Sequence, residues 1–273
     1  MPELPEVEVL RLSLVPLLTD DVIESVDVRF PQLREPLDRA ALEDLAGRRM
    51  ATPRRRAKYL LIDLEGGRTL AIHLGMSGQL TVVAGGTPHE RHEHLAFRLA
   101  SGRRLRLVDP RRFGLALVIP TDGLDGDRHF AHLGVEPLSE DFHGGVLAEA
   151  ARGRRGPVKT FLMDAGVVVG VGNIYASEAL WRAKVHPKRS VARISRRTWD
   201  RLADEVTATL GRAVEEGGTT LADFADGEGN SGYFQVSLEA YGRAGEPCRR
   251  CNSAIRRIVQ SGRSTYYCPG CQR

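Results

Sequence analysis

No stretch of this sequence is apolar enough to cross a bilayer. The longest unbroken hydrophobic run, Leu115 to Ile119, is far short of the roughly 20 residues a spanning helix needs. The chain does not open with a charged segment followed by an apolar one, the mark of a secretion signal, so a cytoplasmic protein with no membrane partner is expected. Neither G-x-G-x-x-G in a βαβ setting nor G-x-x-x-x-G-K-[ST] occurs, which argues against a nucleotide cofactor. No internal repeat is visible. Cysteine is missing until residue 248, so no disulfide framework staples the body of the chain. What is present is ordinary globular material. Of 273 residues, 42% are hydrophobic and 27% charged, enough for two domains and unlike a disordered or fibrous protein.

The charge balance, +4 in total, hides an asymmetry. From Tyr241 onward, seven arginines (243, 249, 250, 256, 257, 263 and 273) face Glu246 alone, a local excess of 7 − 1 = +6. A basic module on a nearly neutral body points to a polyanionic partner, with nucleic acid the best fit. That module also holds all four cysteines, as Cys248-x2-Cys251 and, sixteen residues on, Cys268-x2-Cys271. Two such knuckles at the ends of a hairpin complete a tetrahedral four-thiolate site for one zinc ion. No position is left open for water, so the zinc is structural. Between the knuckles, Ile255–Val259 and Ser264–Tyr267 read as strands joined by a turn at Gln260–Arg263. Arg263 then stands at the hairpin tip, either simply solvated or placed to hold a phosphate.

Apolar residues at Val7, Leu10, Leu14 and Leu17 predict a helix over 5–18, with Pro5 tolerated in its first turn. Seven strand-like runs follow: Val22–Phe30, Tyr59–Leu64, Leu70–Leu74, Gln79–Val83, Leu95–Leu99, Arg104–Val108 and Leu115–Ile119. Gly, Pro and Asp punctuate them, which predicts an antiparallel sandwich. Helical character takes over after about Val146. Its best example is Arg196–Glu216, where Trp199, Leu202, Val206, Leu210 and Val214 recur at helical spacing between Ser195 as N-cap and a Gly217-Gly218 stop. The fold expected is α+β: an N-terminal β-sandwich domain over 1–133, a linker over 134–150, a helical domain over 151–240, and the zinc hairpin over 241–273.

Three groups of residues carry chemistry. The first is Met1-Pro2-Glu3-Leu4-Pro5-Glu6. If Met1 is removed, Pro2 presents a secondary amine that is far more often unprotonated at neutral pH than a lysine. Such an amine can attack a sugar C1′ to give a cationic iminium, with Glu3 beside it to move protons. The plain alternative is a frayed terminus. The second segment, Val169-Gly170-Val171-Gly172-Asn173-Ile174, reads as a glycine turn into a helix, either a packing turn or a phosphate seat. In the third, His73–Gly78 and Asp109–Gly114 offer Met76 and Phe113 as core residues or as wedges for a base stack. The run Arg54–Lys58 is a basic face, and His89, His92 and His94 read as a polar loop in preference to a metal site.

Taken in order, these segments resemble the bacterial formamidopyrimidine-DNA glycosylases, in the helix–two-turn–helix superfamily that includes endonuclease VIII. The resemblance rests on MPELPEVE at 1–8, RRAKYLL at 55–61, HLGMSG at 73–78, DPRRFG at 109–114 and VGVGNIYASE at 169–178. It continues through GGTTLxDF at 217–224, YGR at 241–243 and the four-cysteine hairpin. It implies a monomeric, nucleoid-associated glycosylase and lyase that removes oxidised purines from damaged double-stranded DNA. By that analogy Pro2 is the nucleophile and Glu3 the acid/base, supported by Glu6. Lys58 is the strand-cleavage proton donor or a phosphate ligand, Arg263 is also catalytic, and Asn173 and Arg263 grip phosphates beside the lesion. Met76, Arg111 and Phe113 fill the gap left by a flipped nucleotide, while His92 and Lys159 contact substrate. Asp226–Gly232 matches the loop that closes over the extruded base. The sequence departs from the pattern at Ala165, where many members carry a polar residue.

Overall fold

The computed structural model describes residues 2–218, 227 and 238–273. The expected lesion-capping loop, Asp226–Gly232, lies outside the described residues apart from Gly227. The chain divides into two compact units. One is Met1–Ala131 with the returning piece Glu216–Tyr233, and the other is His132–Glu215 with Phe234–Arg273. No helix among the described residues is long and apolar enough to cross a membrane.

The first unit opens with helix α1, Leu4–Leu18. Glu3 and Glu6 form a reciprocal capping box at its start, an arrangement that satisfies otherwise orphaned N–H groups. Its buried stripe is Val7, Leu10, Leu14 and Leu18. Leu17, expected on that face, is only half-buried, because the i+4 step from Leu14 lands on Leu18. The strands are β1 (Ile23–Val28), β2 (Arg54–Arg56), β3 (Tyr59–Leu64), β4 (Arg68–His73), β5 (Gln79–Ala84), β6 (Glu93–Leu99), β7 (Arg103–Val108) and β8 (Leu115–Pro120). A short helix, α2 (Arg39–Glu43), follows β1.

The strands make two antiparallel four-stranded sheets, ordered β1-β6-β7-β5 and β2-β3-β4-β8. Alternate residues of both sheets, such as Leu105 and Leu107 of β7 and Leu70 and Ile72 of β4, meet α1 in one apolar core. Each such side chain, fully withdrawn from water, contributes about 1.5–3 kcal/mol. Strand β2 departs from the sequence reading, which took Arg54–Arg56 as a solvated face. It pairs with β3 through a tight turn at Ala57, whose φ of 54° is left-handed.

The second unit contains α3 (Gly144–Ala150), α4 (Val158–Leu162), α5 (Asn173–Arg182) and α6 (Arg196–Glu215), then the hairpin β9 (Arg256–Gln260) and β10 (Arg263–Tyr267). Residues 134–150, expected to be a linker, carry α3. That helix buries Leu147 and packs on α6, so the segment is part of the unit. Helix α6 starts where Ser195 Oγ accepts from the Thr198 N–H at 3.4 Å and stops before Gly217 and Gly218, both left-handed. Its buried stripe ends on Ala213 in place of the expected Val214.

Candidate functional site

Chain ends usually fray, but here the start of α1 is sealed. Pro2 is buried, Glu3 is 3% exposed and Glu6 is fully buried. The Glu3 N–H donates to Glu6 Oε2 at 2.7 Å, which fixes the peptide that follows Pro2. One turn further on, Glu8 accepts from Arg11 at 2.6 Å and from Arg55 at 3.0 Å. Burial pushes the Glu8 carboxyl up, but the two guanidiniums outweigh it and hold the group below the usual carboxylate range. Arg55 also donates to the Ala57 carbonyl at 2.9 Å, so the turn that carries Lys58 is tied to α1.

A second cluster in this unit gathers around Asp109. This fully buried carboxylate accepts from Ser77 Oγ at 2.8 Å and from the Gly114 N–H at 2.8 Å. The Arg111 N–H donates to Ser77 Oγ at 3.3 Å. The Asp109 N–H donates to the His92 carbonyl at 3.0 Å, and His94 Nε2 donates to the Asp109 carbonyl at 2.9 Å. Gly75, at φ 65°, fits so closely that a Cβ there would come within 2.4 Å of the Phe113 backbone. Two loops distant in sequence are thereby locked together, and the residues they present face outward. Met76 is 37% and Phe113 45% exposed, so neither belongs to the core. The Arg111 guanidinium lies 4.9 Å from the Phe113 ring centroid. His92, at φ 68°, joins the group through its backbone.

His73 precedes this turn. Its Nδ1 accepts from the Gly75 N–H at 3.0 Å, which requires the nitrogen to be unprotonated. Burial, with Lys58 and Arg34 nearby, depresses its pKa to about 4. His89 binds Glu93 at 2.8 Å, and no metal-capable group among the described residues includes His89, His92 or His94.

In the second unit, Lys159 is only 1% exposed. Its ammonium donates to Asn173 Oδ1 at 2.5 Å, to Thr265 Oγ1 at 2.7 Å and to the Ser264 carbonyl at 3.3 Å. It therefore joins α4, the first residue of α5 and β10. The sequence reading gave Lys159 only a substrate contact and missed this tie, because Thr265 has no signature of its own. Asn173 Nδ2 reaches the Tyr241 hydroxyl at 3.4 Å. Tyr241 is held by Glu178, whose carboxylate accepts from the Glu239, Ala240 and Tyr241 N–H groups at 2.8–2.9 Å. Burial nevertheless pushes the Glu178 carboxyl up. The Ser261–Gly262 turn, with both residues at positive φ, sets Arg263 opposite Gln260, and both line a cavity of about 200 Å³ with Lys159.

The four cysteines are free thiols whose Sγ atoms all lie within 4.8 Å of one another. The Cys248–Cys271 and Cys251–Cys268 separations are 3.9 and 3.4 Å. A tetrahedral ion with Zn–S near 2.3 Å sets its sulfurs about 3.8 Å apart. Burial and crowding by the other sulfurs push the Cys271 thiol up to about 12, so four thiolates this close need a dication between them. The cluster fits one structural zinc. Its apolar support is Trp181, Ala240 and Ile255.

Comparison with known proteins follows the same divisions. Residues 1–116 match the formamidopyrimidine-DNA glycosylase N-terminal domain, 133–225 its H2TH domain, and 245–273 a zinc finger found in FPG and IleRS. The formamidopyrimidine-DNA glycosylase of Marinobacter nauticus is 48% identical, with both chains covered in full. The chain belongs to the formamidopyrimidine-DNA glycosylase family. Solved family structures share its fold. The Lactococcus lactis enzyme in complex with N7-benzyl-Fapy-dG DNA matches with a TM-score of 0.92 at 32% identity over the whole of both chains. The same enzyme in complex with oxidised-pyrimidine DNA matches with a TM-score of 0.91 at 32% identity, again over both whole chains.

Proposed function

We propose that this protein is a bifunctional DNA glycosylase and apurinic/apyrimidinic lyase that removes oxidised purines, 8-oxoguanine and formamidopyrimidines, from duplex DNA. The observation that carries this reading is the sealed start of α1. A buried Pro2 and Glu3, with the intervening peptide pinned by Glu6, are what a fixed nucleophile needs and a frayed end lacks.

Removal of Met1 leaves Pro2 with a secondary amine. Its lone pair attacks C1′, and the glycosidic electrons leave with the base, which takes a proton relayed by Glu3. Loss of its N–H proton restores the nitrogen lone pair, which expels the ring oxygen as that oxygen is protonated, and a C1′ iminium remains. Loss of a C2′ proton to a base feeds electrons into the iminium and expels the 3′ phosphate. A second elimination expels the 5′ phosphate, and water releases the sugar remnant and the amine.

Reaching C1′ requires extruding the nucleotide, which costs a few kcal/mol. Met76, Phe113 and Arg111 fill the gap, with Arg111 toward the orphaned cytosine. Lys58, Asn173 and Arg263 hold the flanking phosphates, and His92 contacts the substrate strand. Lys159 acts chiefly by presenting Asn173. The work is that of a chromosome-associated cytoplasmic monomer.

Borohydride reduction with an 8-oxoguanine:C duplex tests the proposal. The expected result is a covalent adduct that peptide mapping places on Pro2. Processed protein that nicks the duplex with no adduct at Pro2 overturns it. A parallel thymine glycol duplex addresses substrate class, since a relative has been crystallised on an oxidised pyrimidine. Faster nicking of that duplex replaces the purine reading.

A further inference from the structure

A second basic feature lies away from the Lys159–Asn173–Arg263 group. An open trough of about 510 Å³ is lined by Lys184, Arg189, Arg201, Arg250 and Arg273 beside the Cys271 knuckle. No Asp or Glu side chain lines it. No salt bridge to an Asp or Glu side chain among the described residues involves any of these five cations. Like charges gathered around one trough repel, and protein surfaces ordinarily intersperse the signs.

Local contacts explain two of the five. Arg250 lies 3.8 Å over the Trp181 ring and donates to the Trp181 and Arg182 carbonyls at 2.9 and 3.2 Å, which caps the end of α5. Arg189 donates to the Arg273 and Arg193 carbonyls at 3.3 and 3.0 Å. These bonds fix two guanidiniums at the trough wall. Lys184, Arg201 and Arg273 are exposed, and each comes from a different part of the unit.

Two elements separate this trough from the hairpin tip. Helix α5 begins at Asn173 and ends just before Lys184, ten residues that advance about 15 Å. Strand β10 runs from Arg263 to Tyr267, a rise of about 13 Å, before reaching the knuckle. Both place Lys184 and the Cys271 knuckle away from the Asn173 and Arg263 grip, while Arg189, whose carbonyl accepts from the Val158 N–H at 2.8 Å, marks the side of the trough nearest to it. Arginines match phosphate oxyanions in geometry and charge, and spread cations in an open trough suit a chain of phosphates better than one small ion.

We infer that this trough binds the phosphodiester backbone of DNA as a second contact, separate from the one at the hairpin tip. The inference rests on DNA being the partner and is independent of the glycosylase chemistry.

The test uses the full chain with zinc, comparing the Lys184→Gln/Arg201→Gln pair, and the corresponding Glu pair, with the parent. On a long lesion-free duplex, the Gln pair should flatten the plot of log affinity against log salt by about two, as for two lost phosphate contacts, and the Glu pair by more. Transfer between donor- and acceptor-labelled short duplexes, present with the parent and lost in the variants, places the trough on a second duplex. A flattened slope without transfer places it on the flank of the same one. Unchanged slope and unchanged transfer overturn the inference, as does a trough that takes only inorganic tripolyphosphate. Nicking of a short 8-oxoguanine duplex is followed in parallel and should match the parent. A parent that fails to nick counts against the proposed function, whereas a nicking-competent pair with parental DNA slopes counts against the trough.

Discussion

Leu107 and Cys268 are both fully buried, yet they are held by different means. Leu107 sits in a core of 24 side chains drawn from two sheets, two helices and their loops. Cys268 shares its apolar cluster with four buried neighbours, two of them tryptophan and another cysteine. The first unit hides enough apolar surface to define itself, whereas a hairpin of this size cannot and depends on metal–thiolate bonds. A large core spreads its stability over many replaceable parts. A four-thiolate site concentrates it in one ion.

Metal removal is the most severe way to test that contrast. Chelation, or Cys268→Ser, should forfeit most of the roughly 10–16 kcal/mol that zinc contributes to small domains of this kind. Circular dichroism and amide exchange should show the hairpin lost and the sheets of the first unit intact. Loss of both would make the ion a global support. Leu107→Ala should cost about 2–5 kcal/mol in denaturant unfolding without changing zinc content, since only one of many core contacts is removed.

Asp109→Asn is a subtler probe. Both oxygens of this carboxylate accept hydrogen bonds, so an amide sets a donor against a donor and should cost about 1–3 kcal/mol. It should weaken lesion excision more than zinc binding, because the Met76 and Phe113 loops lose their common anchor. Acid offers a further test of the first unit. His73 takes a proton near 6.5 when unfolded but only at about 4 when folded. The unfolded state therefore protonates first, and His73's contribution to stability, complete above 6.5, declines as pH falls toward 4. Its imidazole resonances should stay neutral through pH 5; an inflection near 6.5 would refute the burial argument. The smallest change expected is for Arg263→Ala, which should flatten the salt dependence of DNA binding by about one and leave the fold untouched.

Much of this was legible in the sequence where local signals act alone. Seven strands appear within a few residues of their expected bounds because short apolar runs alternate with turn residues. The hairpin follows from cysteine spacing and a Ser-Gly turn. Strand β2 escaped because three consecutive arginines carry no alternation, and its pairing is imposed by the Ala57 turn. Helix α3 is too short to show a stripe, so its segment read as a linker. Asp109 escaped for another reason. Its partners come from residues 77 and 114, and only folding brings them to one carboxylate. Candidates inside a recognisable motif, whether exposed like Met76 and Phe113 or buried like Glu3 and Glu6, could be named from the chain, whereas the parts Asp109, Glu178 and Thr265 play in holding other residues could not.

The Lys159 ammonium draws its partners from residues 173, 264 and 265, so no two of the three pieces can shelter it without the third. A chain cut short before the hairpin would strand a positive charge in an oily interior and undo the helix starts on either side. The C-terminal hairpin is therefore not an interchangeable cartridge. Grafts between relatives should succeed only when this lysine's whole circle of oxygens travels together.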